Sequence, residues 1–379
     1  MSKGKKLTKA LFNPIVTGTI IGVLAPLLVH FGNPPNMGIC VACFERDMAG
    51  AMGLHRASVV QYFRPEIIGF VLGAFIAAIV WKEWKSRTGS APLVRFSLGV
   101  FAMIGALVFL GCPWRALLRL AGGDLNAVIG LLGLAAGVVL GIGFLRRGFN
   151  LGRARPSMPA TGLMLPVLLT AGLLLTVLVP KIGEGLAFFS SQQGPGSQHA
   201  PLLISLFIGI LVGVFAQRSR FCTIGAIRDT LIIRDRRLLT GIIALVITAF
   251  ATNLLLSVLT DATYFRLSFA AQPVAHSSYL WNFAGMVLAG LAFVLSGGCP
   301  GRQLFLSGEG DGDAAVFVLG MIAGAALAHN FGLAAIPDRI VEGSLITGGP
   351  ALPGMVAVGL GIVFCLGVGF SCSGKYRRG

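Results

Sequence analysis

Charge is the first scarcity in this chain. Asp, Glu, Lys and Arg make up only 12% of its 379 residues, about half the share expected of a soluble domain. No Walker loop, dinucleotide-binding fingerprint or zinc-ligand cluster occurs, so energy from ATP would have to come from another chain and no cofactor or metal is expected. The acidic run Gly308-Glu309-Gly310-Asp311-Gly312-Asp313 resembles a calcium loop only in composition, because the later bidentate glutamate is missing. His-rich and Met-rich tracts are lacking as well, which argues against a nickel or copper carrier. The 7 cysteines are odd in number and scattered among apolar segments, which excludes a secreted disulfide framework.

What fills the chain instead is hydrocarbon. Hydrophobic residues make up 55% of it and the mean hydropathy is +0.84. Ten apolar runs, approximately 14–31, 63–81, 95–112, 125–146, 162–180, 200–217, 238–259, 280–298, 314–335 and 350–370, are each long enough to cross a ~30 Å hydrocarbon core. The fold class is therefore an all-α integral membrane protein of about ten transmembrane helices. The 53 glycines fit, since small residues let membrane helices approach closely. The first run lacks a small-residue cleavage site and is read as a retained helix.

The net charge of +16 belongs to topology rather than to nucleic acid, because Lys and Arg gather at the ends of the apolar runs. With Lys3, Lys5, Lys6 and Lys9 cytoplasmic, the inner segments hold 22 of the 30 Lys and Arg. Those segments include the tail with Lys375, Arg377 and Arg378. The outer side keeps Arg46, Arg56, Arg64, Arg115, Arg119, Lys181, Arg266 and Arg339. Both termini are expected to be cytoplasmic.

The chain also repeats. Gly111-Cys112-Pro113-Trp114-Arg115 returns as Gly298-Cys299-Pro300-Gly301-Arg302, and Cys40 with Arg46-Asp47 returns as Cys222 with Arg228-Asp229. Gly123-Asp124 matches Gly310-Asp311, and Gly133 and Gly137 match Gly320 and Gly324. Landmarks kept in one order indicate internal duplication. The expected units are 1–150 (first repeat, four spans), 151–195 (linker with one span), 196–337 (second repeat) and 338–379 (an extra span and basic tail). The intervening span makes the second repeat inverted, a topology in which the site lies near the membrane midplane.

Each repeated cysteine lies where prolines or glycines break an apolar run, so four re-entrant loops are expected, tolerable at membrane depth only against protein or a water-filled cavity. Those of Cys40 and Cys112 would open outward and those of Cys222 and Cys299 inward, giving an hourglass with thiols at its waist. Short helices starting in each loop would aim free amides inward, and with Arg46, Arg115, Arg228 and Arg302 they favour an anion. Thiols are soft and weakly hydrogen bonding, matched to sulfur or selenium more than to hard oxyanions. A purely structural role is also open for the arginines, Arg46 with Glu45 or Asp47, Arg228 with Asp229, and Arg302 with Glu309 or Asp311. Asp124 and Asp311 suit helix N-caps. Cys365 and Cys372 read as small apolar residues, and His30, His329 and Asn330 as packing or hydrogen-bonding groups. Cys43 has Gly225 at its equivalent position, so a redox Cys40–Cys43 pair is not a symmetric feature.

The GxCxxC loop with its Arg-Asp at 38–47, GCPWR at 111–115, RSRFCTIGAIRD at 218–229 and SGGCPGRQLFLSGEGD at 296–311 resemble the YeeE/YedE sulfur-transport family across nearly the whole chain. The extra C-terminal span resembles its YedE branch, described as selenium transporters. The resemblance implies a non-enzymatic bacterial inner-membrane carrier for thiosulfate or a related sulfur or selenium anion, contacted by Cys40, Cys112, Cys222 and Cys299. It also implies a cytoplasmic thiol partner of the small sulfur-carrier type, and no such domain is expected in this chain. The main alternative is a membrane thiol-disulfide oxidoreductase carrying electrons through Cys40 and Cys43.

Overall fold

A computed structural model describes residues 11–182, 188–342 and 344–374. The basic tail residues Lys3, Lys5, Lys6, Lys9, Lys375, Arg377 and Arg378, and the side chain of Lys181, lie outside the described residues. All ten expected spans are helices. They are α1 (Pro14–His30), α3 (Pro65–Val80), α4 (Pro92–Phe109), α6 (Asn126–Arg146), α7 (Pro159–Ile182), α8 (Leu202–Ser219), α10 (Arg237–Leu259), α11 (Tyr279–Ser296), α13 (Gly312–Asn330) and α14 (Leu352–Ser371). Eight of the candidate spans are long and apolar enough to cross a membrane; α1 and α3 are apolar but shorter. Four further short helices fill the cysteine loops, α2 (Val41–Ala51), α5 (Pro113–Ala121), α9 (Thr223–Ile232) and α12 (Pro300–Gly308). Proline opens many of the helices at the first or second position, where its missing N–H costs nothing and its fixed φ suits the helix.

The loops expected on one side of the membrane meet at one end of the molecule. Arg87–Thr88 (β1) pairs with Arg155–Pro156 (β2), Lys85 N donates to Glu309 O, Glu83 pairs with Arg218 and Arg220, and Asn150 N donates to Cys372 O. At the other end His30 meets Tyr264, Ala200 N donates to Asn33 and Asn330 donates to Leu54 O. A short hairpin, Arg339–Val341 (β3) with Ser344–Ile346 (β4), precedes α14.

The closest helix pairings are α1 with α10, α3 with α8, α4 with α13, α6 with α11, and α4 with α11. Glycines set the approach. A Cβ on Gly133 would collide with Phe283 O, and one on Gly320 with Phe96 O. A Cβ on Gly137 would collide with Val287 O, and one on Gly324 would crowd Val100 O. Gly133 and Gly320, Phe96 and Phe283, and Val100 and Val287 are pairs of residues with the same spacing in the chain, so these contacts exchange when each residue is replaced by its counterpart. Gly-to-carbonyl approach of this kind is how membrane helices gain close van der Waals packing where burial from water offers no drive.

Candidate functional site

Each of the four short helices has a cysteine as its N-cap: Cys40 for α2, Cys112 for α5, Cys222 for α9 and Cys299 for α12. In two of them the sulfur itself does the capping. Cys40 Sγ accepts from Cys43 N at 3.3 Å, and Cys222 Sγ accepts from Gly225 N at 3.3 Å. In the other two a proline follows at the first helical position, so one amide is already absent and the sulfur makes no capping bond. The helix amino ends that these cysteines cap carry unpaired N–H groups and partial positive charge.

All four sulfurs are buried. They gather as two pairs. Cys40 Sγ lies 3.8 Å from Cys112 Sγ, and Cys222 Sγ accepts from Cys299 N at 3.5 Å. Between the loops stands an aromatic cluster in which Trp114 meets Phe70, Phe221 and Phe305 with ring centroids 6.0 Å away in each case. Trp114 follows Cys112 by two residues, Phe221 precedes Cys222, and Trp114 also covers Gly301, two residues beyond Cys299. The thiols therefore flank an aromatic waist, where the sequence suggested that they form it.

The arginines divide. Arg46 binds Asp47 at 2.6 Å, with Arg64 on the other oxygen of the same carboxylate at 2.7 Å. Arg228 binds Asp229 at 2.7 Å, and Arg302 binds Glu309 at 3.1 Å, a carboxylate shared with Arg220. These three spend their charge on neighbours. Arg115 differs: it is fully buried and no ion pair to it occurs among the described residues. Its Nη1 donates to Leu110 O and lies 3.6 Å from Cys43 Sγ, and its Nη2 donates to Val274 O at 3.0 Å. Leu110 needs that anchor. It ends α4 in the left-handed region at φ 62°, an uncommon conformation for a branched side chain, and the equivalent end of α11 is Gly297 at φ 100°.

Several neighbours of the site gave little signal in the sequence. Cys43 lies beside the Cys40–Cys112 pair, in contact with Arg115 and Leu110 O. Arg119 and Asp124 form a fully buried pair at 2.6 Å; Asp124 also accepts from Asn126 N at 2.9 Å, but the N-cap of α6 is Leu125, without a side-chain cap bond, so the expected N-cap role of Asp124 is not met and its carboxylate is spent on Arg119 and Asn126. Asp311 is the N-cap of α13, accepting from Ala314 N, and pairs with Arg87 rather than Arg302. Cys365 is buried in α14, away from the thiol pairs. The His329 ring lies tilted by 35° against that of His55, centroids 4.6 Å apart. No group of three or more His, Cys, Asp or Glu fit to hold a metal occurs among the described residues.

At the end of the molecule where His30 meets Tyr264 lies a cavity of about 740 Å³ lined by Asn33, Asn36, Gly38, Asn253, Arg266 and Gln272 among others. Gly38 stands two residues before Cys40, so the cavity abuts the Cys40 loop. Its lining is mostly apolar, with the side-chain amides of Asn33, Asn36, Asn253 and Gln272 and the exposed Arg266 as its polar groups.

Residues 218–371 match the family described as Sulphur transport. Over 109 residues the chain is 31% identical to the thiosulfate transporter TsuA of Escherichia coli (strain K12), a match covering 29% of this chain and 29% of that protein. Over 101 residues it is 28% identical to an uncharacterized protein of Methanocaldococcus jannaschii, covering 24% of this chain and 96% of that one. The first match thus spans less than a third of the transporter's length.

Proposed function

From the match of residues 218–371 to the family described as Sulphur transport, we propose that this chain imports a small sulfur- or selenium-containing anion, thiosulfate-like, across the bacterial inner membrane by a thiol relay. The observation that carries the reading is the placing of four buried cysteines at the amino ends of four short helices, in two pairs on either side of an aromatic waist. A desolvated anion needs positive potential at membrane depth. Helix amino ends and the unneutralised Arg115 supply it, and S–H groups add soft donors to the terminal sulfur or selenium.

In this mechanism the anion enters the outer cavity, exchanges water for the S–H groups of Cys40 and Cys112, passes the Trp114 waist, and is received by Cys299 and Cys222. Small displacements of the loops suffice, and the aromatic rings exclude water between transfers. Arg46, Arg228 and Arg302 hold their loops in place through carboxylates. Supporting the inverted duplication, with units 1–150 and 196–337, are the exchanged packing pairs α1–α10 and α3–α8 and the exchanged glycine contacts. The excess of basic residues on the 82–95, 146–155 and 218–237 loops favours that end as cytoplasmic. There a small sulfur-carrier thiol protein would receive the product.

Uptake of radiolabelled thiosulfate and of selenite into proteoliposomes tests this. Accumulation of one of them, abolished by Cys112→Ala and by Cys299→Ala, is the expected result. Wild-type vesicles that accumulate neither, or variants that match the wild type, would sink the relay. Serine at the same positions separates softness from size, since the hydroxyl is the harder and stronger donor.

A further inference from the structure

Glu45 is the one acidic side chain of α2 that the ion pairs leave out. It lies five residues beyond Cys40 and is fully buried. Neither carboxyl oxygen has a hydrogen-bond partner. Its neighbour Arg46 is committed to Asp47, and Asp47 to Arg46 and Arg64. Glu45 stands on the short helix that Cys40 caps, and Cys40 Sγ lies 3.8 Å from Cys112 Sγ. In the second half the equivalent position is Ile227, so the fold does not require a carboxyl there.

The surrounding charges are occupied elsewhere. On α3, Glu66 accepts from Asn33 and Ser205. On α4, Arg95 lies beside Ser90 and Asp313, and that same Asp313 is the acid of α13. On α12, Arg302 holds Glu309. His329 of α13 lies against the His55 ring. With no cation and no donor turned to it, an ionised carboxylate at Glu45 would carry the full cost of an unsolvated charge. The resting group therefore keeps its proton, and a neutral carboxylic acid is a donor.

We propose that Glu45 is a substrate-binding residue that works in the protonated form: its O–H donates to the anion held by Cys40 and Cys112, so that occupation of the outer thiol pair is tied to one bound proton. This rests on the transport reading above. The carboxyl with both oxygens unpartnered is then a donor waiting for an acceptor that arrives with the cargo. Loss of the proton replaces a donor by a negative charge beside an anion, so binding weakens as the outer pH rises.

Three variants in proteoliposomes, with thiosulfate as the probe, test the assignment. Glu45→Ala removes the donor, and its KM is expected to rise about tenfold, the equivalent of one hydrogen bond to a charged partner. Glu45→Gln keeps a neutral donor that cannot titrate; it should restore KM to within about threefold of wild type and lose the weakening at high pH. Glu45→Asp retains the acid but withdraws it, and should shift the pH profile. Independently of uptake, the purified wild type should show the infrared carbonyl band of a protonated carboxyl that moves when thiosulfate is added and is missing from Glu45→Gln. A Glu45→Ala variant with wild-type KM, a Glu45→Gln variant with the wild-type pH profile, or a band unmoved by thiosulfate would each overturn the role of Glu45 alone. Wild-type protein that takes up no thiosulfate at any pH overturns the transport reading itself.

Discussion

Trp114 lies across Gly301, the residue at its own position in the second GCPxR loop. A Cβ added to Gly301 would stand 3.2 Å from Cζ2 and 3.3 Å from Cη2 of the indole. One half of the molecule supplies the ring and the other supplies the room for it, so the waist is filled once rather than twice. Two tryptophans could not share that space, and two glycines would leave it open.

The waist should therefore respond in opposite ways from its two sides. Gly301→Val pushes against the indole and is expected to lower thiosulfate uptake at least tenfold while the protein still inserts. Trp114→Ala removes a fully buried ring, with a stability loss of about 3–5 kcal/mol by the usual large-to-small cost. It should also raise passive anion leak in vesicles under an imposed potential. Equal leak in wild type and Trp114→Ala would show that the ring is no barrier.

Arg115 is the next point of sensitivity. Its guanidinium reaches Leu110 O, Val274 O and Cys43 at once, a spread that a single ammonium cannot match. Arg115→Lys is expected to lose most uptake, and Leu110→Gly, which relieves the left-handed backbone at φ 62°, should recover thermal stability without recovering transport. Recovery of transport in the double variant would reduce Arg115 to a backbone anchor.

How much of this was legible beforehand follows from where the signal sits. The ten spans were readable because each is a long apolar run, and the four cysteine loops because position and neighbours recur in both halves. Gly133, Gly137, Gly320 and Gly324 were readable as a repeat, and their role as carbonyl contacts follows from helix pairing that only the fold supplies. Arg46, Arg228 and Arg302 could be seen to have acids nearby in sequence. That Arg115 has none could not, since Arg119 takes Asp124 although Arg115 stands in the repeated motif. Cys43, Trp114 and Glu45 were hard to weigh for one shared reason: each departs from its counterpart, Gly225, Gly301 or Ile227, and duplication points only to what is kept.

The exchanged glycine contacts make the duplication itself testable. Gly133→Leu and Gly320→Leu meet equivalent carbonyls, Phe283 O and Phe96 O, and neither site can give way without moving a helix. Their thermal shifts in detergent should agree within a few degrees. A tolerated substitution at one glycine with unfolding at the other would deny that the two contacts are equivalent.

The buried pair Arg119–Asp124 separates stability from transport. Both side chains are fully buried, 2.6 Å apart, and Arg119 also donates to Phe109 O at 2.9 Å. Asp124→Ala strands a guanidinium in a dry interior and should cost about 3–5 kcal/mol, whereas replacing both partners by apolar residues of similar volume should cost less. Denaturant unfolding of the single and double variants measures the difference. A double variant no more stable than Asp124→Ala would mean that Arg119 matters for Phe109 O more than for its ion pair.

The outer thiols offer a chemical test of which sulfurs face one another. Cys40 and Cys112 stand at 3.8 Å, and closing to the ~2.05 Å of a disulfide requires only a small shift of two loop residues. Cys43 is nearer in sequence, yet its sulfur points to Leu110 O at 3.9 Å and to Arg115. Mild oxidation of the protein in inside-closed vesicles should therefore link Cys40 to Cys112 and stop uptake, and a reductant should restore it. Peptide mapping under non-reducing conditions identifies the bond. Cys43→Ala should still cross-link, and Cys112→Ala should not. A Cys40–Cys43 bond that forms in the wild type and persists in Cys112→Ala, with electrons delivered to an inner acceptor, would instead favour a thiol-disulfide relay across the membrane over anion transport.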